Sequence, residues 1–342
     1  MRKGFENMNN SKGFKKLKGL ASIGAMSFAG LFGAGSGRAG TTTGITTGFT
    51  IGTGSAIWSD FGNNSSFPSS TTVTTTNGNS YATFTEAFCY ADATVLDGST
   101  TYNDAFDCAM ILAVEGNLFI NPDSTVDLTG TTVTSDVVTD IIPPISAQVE
   151  YRVYTDRRLI RGLFTLTNTP VGPIGGINVT ILGDYGSDSG TNVVTTSNSD
   201  NLIENTDLWY ITDDNLDTGK TSQAQKVRGF NGDPVITTTR HGVNAEVVPF
   251  NALTPVDDGA VYGLRYPVNI PAGGTVRIMT FHEIGPNNVA AIPDQIAAAS
   301  DFESMTALDA AGLIDDLDQS VRDTIVNYGD SDIIFKNGFE SN

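Results

Sequence analysis

The chain has 342 residues, 37 of them glycine, with 39% hydrophobic residues and a formal net charge of −19. That length accommodates one large β domain or two small ones with a sizeable buried core. The abundance of Thr, Ser, Asn, Asp and Gly suits many short strands joined by tight turns, not a helical protein, and so acidic a surface repels nucleic acid and anionic lipid, which argues against both as partners.

Residues 1–39 resemble a secretory signal with an extended basic start. The basic part is KGFKKLKG, the apolar part is LASIGAMSFAGLFGAG, and Gly37 and Ala39 supply the small residues of a cleavage site. The apolar run is short and Gly-rich for a stable span, and no later run reaches 18 apolar residues, so no transmembrane helix is expected. Cleavage after Ala39 would leave 12 Lys and Arg against 37 Asp and Glu, a net charge near −25. Gly35–Gly40 matches G-x-G-x-x-G, but it follows no strand of a βαβ unit and lies in the targeting segment, so it is set aside.

A β-sandwich domain is expected over residues 40–290. Its first part, 40–80, is Thr/Gly/Ser-rich and reads as two or three edge strands, with Trp58 and Phe61 anchoring them on the core. The alternative for Trp58 is an exposed sugar-stacking platform. Tyr81–Ala91 and Ala109–Ile120 are the next strands, and Glu115-Gly116-Asn117 marks a hairpin or bulge in the second. Asn121-Pro122 ends it, Leu128–Val138 is weaker β, and Pro143-Pro144 connects into the central stretch. Cys89 and Cys108 flank a turn-rich segment. In an exported chain such a pair predicts one disulfide, stabilising by about 3 kcal/mol in the chain-entropy model; two buried thiols are the alternative.

The densest strand pattern runs from Ala147 to Thr212. Val149, Tyr151 and Val153 alternate with Glu150, Arg152 and Tyr154; Asp156-Arg157 turns the chain; Ile160, Phe164 and Leu166 return on one face; Ile177, Val179 and Ile181 alternate again. This period of two places one face on a core. Arg152, Arg157, Arg158 and Arg161 are expected to pair with acids across strands, with an anion-binding patch as the alternative. Further strands are predicted at Val235–Thr239, Ala245–Val248 and Ala260–Arg265. Then come two strands joined by Pro271-Ala272-Gly273-Gly274, the second with Val276, Ile278, Thr280 and His282 on one face and Met279 and Phe281 on the other.

From Pro293 the period becomes helical. Residues 291–329 read as a helical pair packed on the sandwich. Ser300–Glu303 forms a capping box and Gly312 ends the first helix; Ile314, Leu317, Val321, Ile325 and Tyr328 form the stripe of the second, and Gly329 stops it. Asp315, Asp316 and Asp318 suit the dipole at that helix start and call for no functional account. A tail, 330–342, follows.

Catalytic constellations are few. The two histidines, His241 and His282, sit in strand-like context, and no zinc spacing exists. Gly219-Lys220-Thr221 lacks the first glycine of a P-loop, and Gly186–Gly190 has Asp188 where a nucleophile elbow has Ser. A glycosidase would need two facing carboxylates, which spacing among so many acids cannot pick out. Asp213, Asn215 and Asp217 resemble the start of a Ca²⁺ loop without the glycine and final glutamate of an EF-hand, and Asp184 with Asp188 forms a second oxygen-rich candidate; turn chemistry is the competing account. Ca²⁺ is the one candidate cofactor.

Two stretches carry resemblances. The ending Ile334-Phe335-Lys336-Asn337-Gly338-Phe339-Glu340 is similar to a short I-F-x-x-G-F-E tail of exported β proteins of Gram-negative bacteria, and it implies export or surface sorting. The run from Arg161-Gly162-Leu163-Phe164 through Gly183-Asp184-Tyr185-Gly186 to Asp207-Leu208-Trp209-Tyr210 resembles secreted β proteins, some with a sandwich similar to the galactose-mutarotase-like supersandwich. It covers roughly 147–283 and implies a fold; mutarotase chemistry needs an active-site His and Glu in an arrangement that no residues here can be matched to. The expectation is an all-β, large antiparallel β-sandwich, supersandwich-like, with two short C-terminal helices. The protein is expected to be secreted or held at a Gram-negative cell surface, with a non-enzymatic structural, adhesive or binding role toward an extracellular ligand such as a glycan or surface protein. A carbohydrate-binding or carbohydrate-active protein is the alternative.

Overall fold

The computed structural model describes residues 42–46, 56–58, 71–74, 80–83, 93–97, 100–102, 106–121, 125–169, 172–185, 191–213, 235–255, 261–285 and 292–329. All belong to one compact unit, Ala39–Asn342; the other unit, Met1–Arg38, lies outside the described residues, as does the whole of the expected targeting segment. The strands are β1 (Thr42–Thr46), β2 (Ala56–Trp58), β3 (Thr71–Thr74), β4 (Ser80–Thr83), β5 (Ala93–Asp97), β6 (Thr100–Tyr102), β7 (Phe106–Val114), β8 (Asn117–Leu118), β9 (Thr125–Thr129) and β10 (Thr132–Thr134). They continue with β11 (Val138–Ile142), β12 (Ile145–Tyr154), β13 (Leu159–Asn168), β14 (Ile174–Tyr185), β15 (Asn192–Thr196), β16 (Trp209–Asp213), β17 (Ile236–Thr239), β18 (Phe250–Leu253), β19 (Val261–Ile270) and β20 (Thr275–Ile284).

The chain is mostly antiparallel β. A ten-stranded sheet runs β1-β9-β10-β12-β13-β20-β17-β16-β15 with β11 also on β12, and a five-stranded sheet runs β18-β19-β14-β7-β8. Small sheets, β2-β5-β6 and β3-β4, account for the rest. The long hairpin β12–β13 pairs ten residues in unbroken register from Ile145↔Asn168 to Tyr154↔Leu159. Its alternation divides as the sequence predicts. Val149, Tyr151, Val153, Ile160, Phe164 and Leu166 join the core between the two large sheets, with Val179, Ile181, Leu264 and Ile278. Glu115 and Gly116 both take positive φ, 49° and 79°, the geometry of a tight hairpin turn, and they close β7 onto β8. Trp58 is fully buried in the same core, as expected for it; Phe61, its expected companion, lies outside the described residues.

The opposite face of the ten-stranded sheet is covered too. Leu159, Leu163, Trp209, Ile211, Met279 and Phe281 meet Phe302, Met305, Leu308, Ile314 and Tyr328 from the C-terminal segment. That segment is a series of short helices: α1 (Ile292–Ala299) running into a 3₁₀ turn (Ser300–Phe302), α2 (Met305–Ala310) and α3 (Gln319–Arg322). Ser304, not Ser300, caps α2, its hydroxyl accepting from Ala307 N at 3.0 Å. Gly312, at φ 70°, ends that helix as its sequence position predicts.

Two local expectations differ. The predicted second helix holds its helical form only over Gln319–Arg322. Beyond it the chain turns and meets β20 in a single parallel bridge, Arg277 to Ile325. Arg277 N donates to Thr324 O (2.7 Å) and Val326 N donates to Arg277 O (3.0 Å). The reason is that β17 pairs β20 only over His282–Ile284, which leaves the rest of that strand edge to be satisfied. Residues 245–248 form no strand: Asn244 is left-handed (φ 59°), and Val243 N and Val247 N donate to Glu303 O and Val326 O of the C-terminal segment instead of to a sheet neighbour.

Candidate functional site

The richest chemistry lies between the sheets. β20 presents His282 inward, and β19, β14, β16 and β17 bring Tyr262, Tyr185, Tyr210 and Thr238 to it. Tyr262 Oη is 2.5 Å from His282 Nε2, which also faces the Ala109 carbonyl at 3.1 Å. Thr238 Oγ1 is 3.1 Å from His282 Nδ1 and 2.5 Å from Tyr185 Oη, and Tyr185 Oη donates to Tyr210 Oη at 3.1 Å. Phe106 packs on the histidine ring at 4.9 Å and on Trp58 at 5.9 Å. Gly183 makes room: a Cβ there would fall 2.3 Å from the Tyr262 ring. Burial pushes His282 down to about 3, with the Ala109 carbonyl pulling weakly the other way, and burial pushes Tyr210 up to about 12. The cluster is therefore neutral across the ordinary pH range.

A second set of charged groups binds the C-terminal segment to the sheet. Arg161 is fully buried and grips Asp316 through both oxygens (2.8 and 2.7 Å), Glu150 at 2.9 Å and the Leu313 carbonyl at 3.2 Å. Arg152 also pairs with Asp316. Arg157 links Glu283 (2.8 Å) and Asp301 (2.7 Å). Burial opposes ionisation of Arg161, but the bonds and charges of Asp316, with Glu150, outweigh it and raise its pKa. For Asp316 burial acts upward and the two arginines win, holding the carboxyl below its usual range. Arg152, Arg157 and Arg161 thus pair with acids as predicted, but chiefly with Asp316 and Asp301 of the C-terminal segment, with Glu150 and Glu283 as the strand partners. The dipole account of Asp316 is corrected: Asp316 lies outside α3 and binds arginines, because the helix expected to contain it is not formed there.

A third group lies where the loop before β16 meets the loop after β17. Arg240 and Asp207 are fully buried. Arg240 donates to the Glu204 and Pro249 carbonyls, and Asp207 accepts from Glu204 N at 2.6 Å. His241 places its ring nitrogens on the Gly242 and Asn205 carbonyls at 3.0 and 3.2 Å; burial lowers its pKa and those carbonyls act against the shift.

Of the residues singled out from sequence, Trp209 is buried and donates Nε1–H to Glu303 Oε1 at 3.3 Å. Asp184 stands near the end of β14, opposite Val261 and Cys108. Asp213 ends β16, buried and opposite Asn192 in the other large sheet. Asp188, Asn215, Asp217 and Cys89 lie outside the described residues. Among the described residues no group of three or more His, Cys, Asp and Glu is arranged to hold a metal ion, and no helix is long and apolar enough to cross a membrane. Tyr185, Tyr262, Asp207, Arg240 and Asp316 were not predicted from sequence; an Arg or Asp inside a strand-loop boundary carries no mark of its burial.

No protein-family model and no curated protein sequence matches the chain. Among solved structures it is similar to a protein described as an aldose 1-epimerase from Klebsiella pneumoniae, at 11% identity and a TM-score of 0.33 over 55% of this chain and 66% of that one. A protein described as a kojibiose phosphorylase from the human microbiome matches at 10% identity and a TM-score of 0.42, over 77% of this chain and 34% of that one. A galactose mutarotase-like protein from Lactobacillus casei matches at 9% identity and a TM-score of 0.30, over 70% and 99%. At these identities and TM-scores the likenesses carry no argument, and no residue role passes from them.

Proposed function

We propose that this protein is exported and non-catalytic, a β-sandwich scaffold with a structural, adhesive or binding role toward an extracellular partner. One observation supports the reading: Trp58, Trp209, His241 and His282, the side chains best suited to sugar stacking or proton transfer, are all buried in the fold. Trp209, His241 and His282 direct their polar atoms at other protein groups, as scaffold residues do; a sugar platform or general base must reach its substrate. The test is a glycan array with the chain from Gly40 onward, together with epimerase and phosphorylase assays on simple sugars. The scaffold reading expects neither binding nor turnover. Saturable glycan binding or turnover would replace it with the carbohydrate reading.

Export belongs to the same proposal and rests on the basic and apolar start of residues 1–39. Its companion is a Cys89–Cys108 disulfide, in keeping with an oxidising compartment. Peptide mass analysis of secreted protein without reduction should show the two cysteine peptides linked and a terminus near Gly40; alkylation of both thiols without reduction, or an intact Met1, would reject the respective claim.

A further inference from the structure

At one end of the sandwich, between β7–β8 and the β9–β10–β12 part of the large sheet, lies a partly open cavity of about 30 Å³. Ile111, Leu112, Phe119, Val126, Val133 and Val149 supply its apolar wall. The volume exceeds the ~10–15 Å³ that one water requires, so size does not decide the occupant; polar partners do, since a buried water needs two to four of them. The three polar residues of the wall are engaged elsewhere. Tyr151 donates its hydroxyl to the Met110 carbonyl at 2.5 Å. Ser135 Oγ donates to Asp136 O and accepts from Val149 N, at 2.8 and 2.9 Å. Asn121 Oδ1 accepts from Asp136 N at 3.0 Å. Beside them Ile120 and Val137 are exposed apolar side chains, with Asp136 exposed between Ser135 and Val137.

We propose that this cavity is a dry binding site for one small apolar molecule, of the size of xenon or a one- to two-carbon hydrocarbon. Its aliphatic wall offers dispersion contacts that an empty space forfeits and that water cannot replace with hydrogen bonds. The inference rests on the cavity alone and is independent of the scaffold role.

Crystals of the chain pressurised with xenon test it. A xenon peak in the cavity is expected, and in solution the methyl resonances of Ile111, Val126 and Val133 should shift saturably with xenon pressure. Val133→Ile adds a methylene to the wall and should abolish both signals without lowering the melting midpoint; Val126→Ile serves the same purpose if the first variant does not fold. Ordered water in the cavity bonded to two or more protein groups, no xenon at pressure, or methyl shifts that persist in a folded filled variant would each overturn the proposal.

Discussion

His282 shows how a single residue can set the acid behaviour of a chain. It is buried against Phe106 and Tyr262, and its folded pKa of about 3 lies below the ordinary 6.5. Between those values the unfolded chain takes up a proton that the folded chain refuses. Stability is therefore full above pH 6.5 and falls as the pH drops toward 3, by roughly 5 kcal/mol in the limit. Glu283, whose carboxyl is held above its usual range by burial against the pull of Arg157, acts in the opposite sense, so a paired comparison is needed. The difference in urea midpoint between the native chain and His282→Gln should shrink steadily from pH 6.5 to 4. A difference that stays constant would mean that the ring titrates normally.

The C-terminal segment owes its shape to the edge of β20. Asn327, fully buried, donates Nδ2–H to Met279 O (2.7 Å) and Arg240 O (3.2 Å) and accepts from Met279 N (2.9 Å). Its amide thus serves as a neighbouring strand where β17 has ended. Asn327→Ala would orphan the Met279 N–H and carbonyl, while the Arg240 carbonyl keeps the Tyr266 hydroxyl; each orphaned group costs about 1–3 kcal/mol, and a loss on the order of 2–5 kcal/mol in denaturant unfolding is expected. A loss below about 1 kcal/mol would show that water replaces the amide. Asp316 is the other fastening. Asp316→Asn leaves Arg161 buried with Glu150 alone among carboxylates, and a destabilisation of about 2–3 kcal/mol follows from the cost of a half-paired buried charge. The exposed neighbour Asp315→Asn should stay within about 0.5 kcal/mol; equal effects from the two would sink the role assigned to Asp316.

At the scale of the whole molecule, two features govern association and ion dependence. The edges of the large sheets are blunted: β8 has two residues, and β1, β15 and β18 pair with register shifts, which hinders edge-to-edge growth. The formal charge of −19 repels itself, and a bound cation would relieve part of that. The calcium proposal at Asp184, Asp188, Asp213, Asn215 and Asp217 rests on their sequence pattern, as the two described members lie at or next to the ends of strands in different sheets. Binding to the folded state alone would add about 2.7 kcal/mol at a hundredfold excess over Kd. Melting midpoints in millimolar Ca²⁺ should then exceed those in EDTA at matched ionic strength; equal midpoints, or the same rise with Mg²⁺, would leave these residues as turn formers.

Local chemistry by itself determined a good deal about this protein. The alternation of Val149, Tyr151 and Val153 and of Ile160, Phe164 and Leu166 named the core face, because a strand points successive side chains to opposite sides. The turns at Glu115-Gly116 and Pro271–Gly274 and the stop at Gly312 were legible because each depends on a few adjacent residues. Tertiary structure alone decided the rest. Ile314, Leu317, Ile325 and Tyr328 carry a helical stripe and are buried as that stripe implies, yet the backbone at Ile325 leaves the helix and bridges to Arg277 of β20. Unpaired amides and carbonyls on β20, contributed by a distant part of the chain, outweigh a weak helical preference. In the same way nothing near Arg161 in sequence announces that Asp316 will neutralise it, 155 residues away. Burial of a charge is a property of what packs around it, and that exists only once the sheets have met.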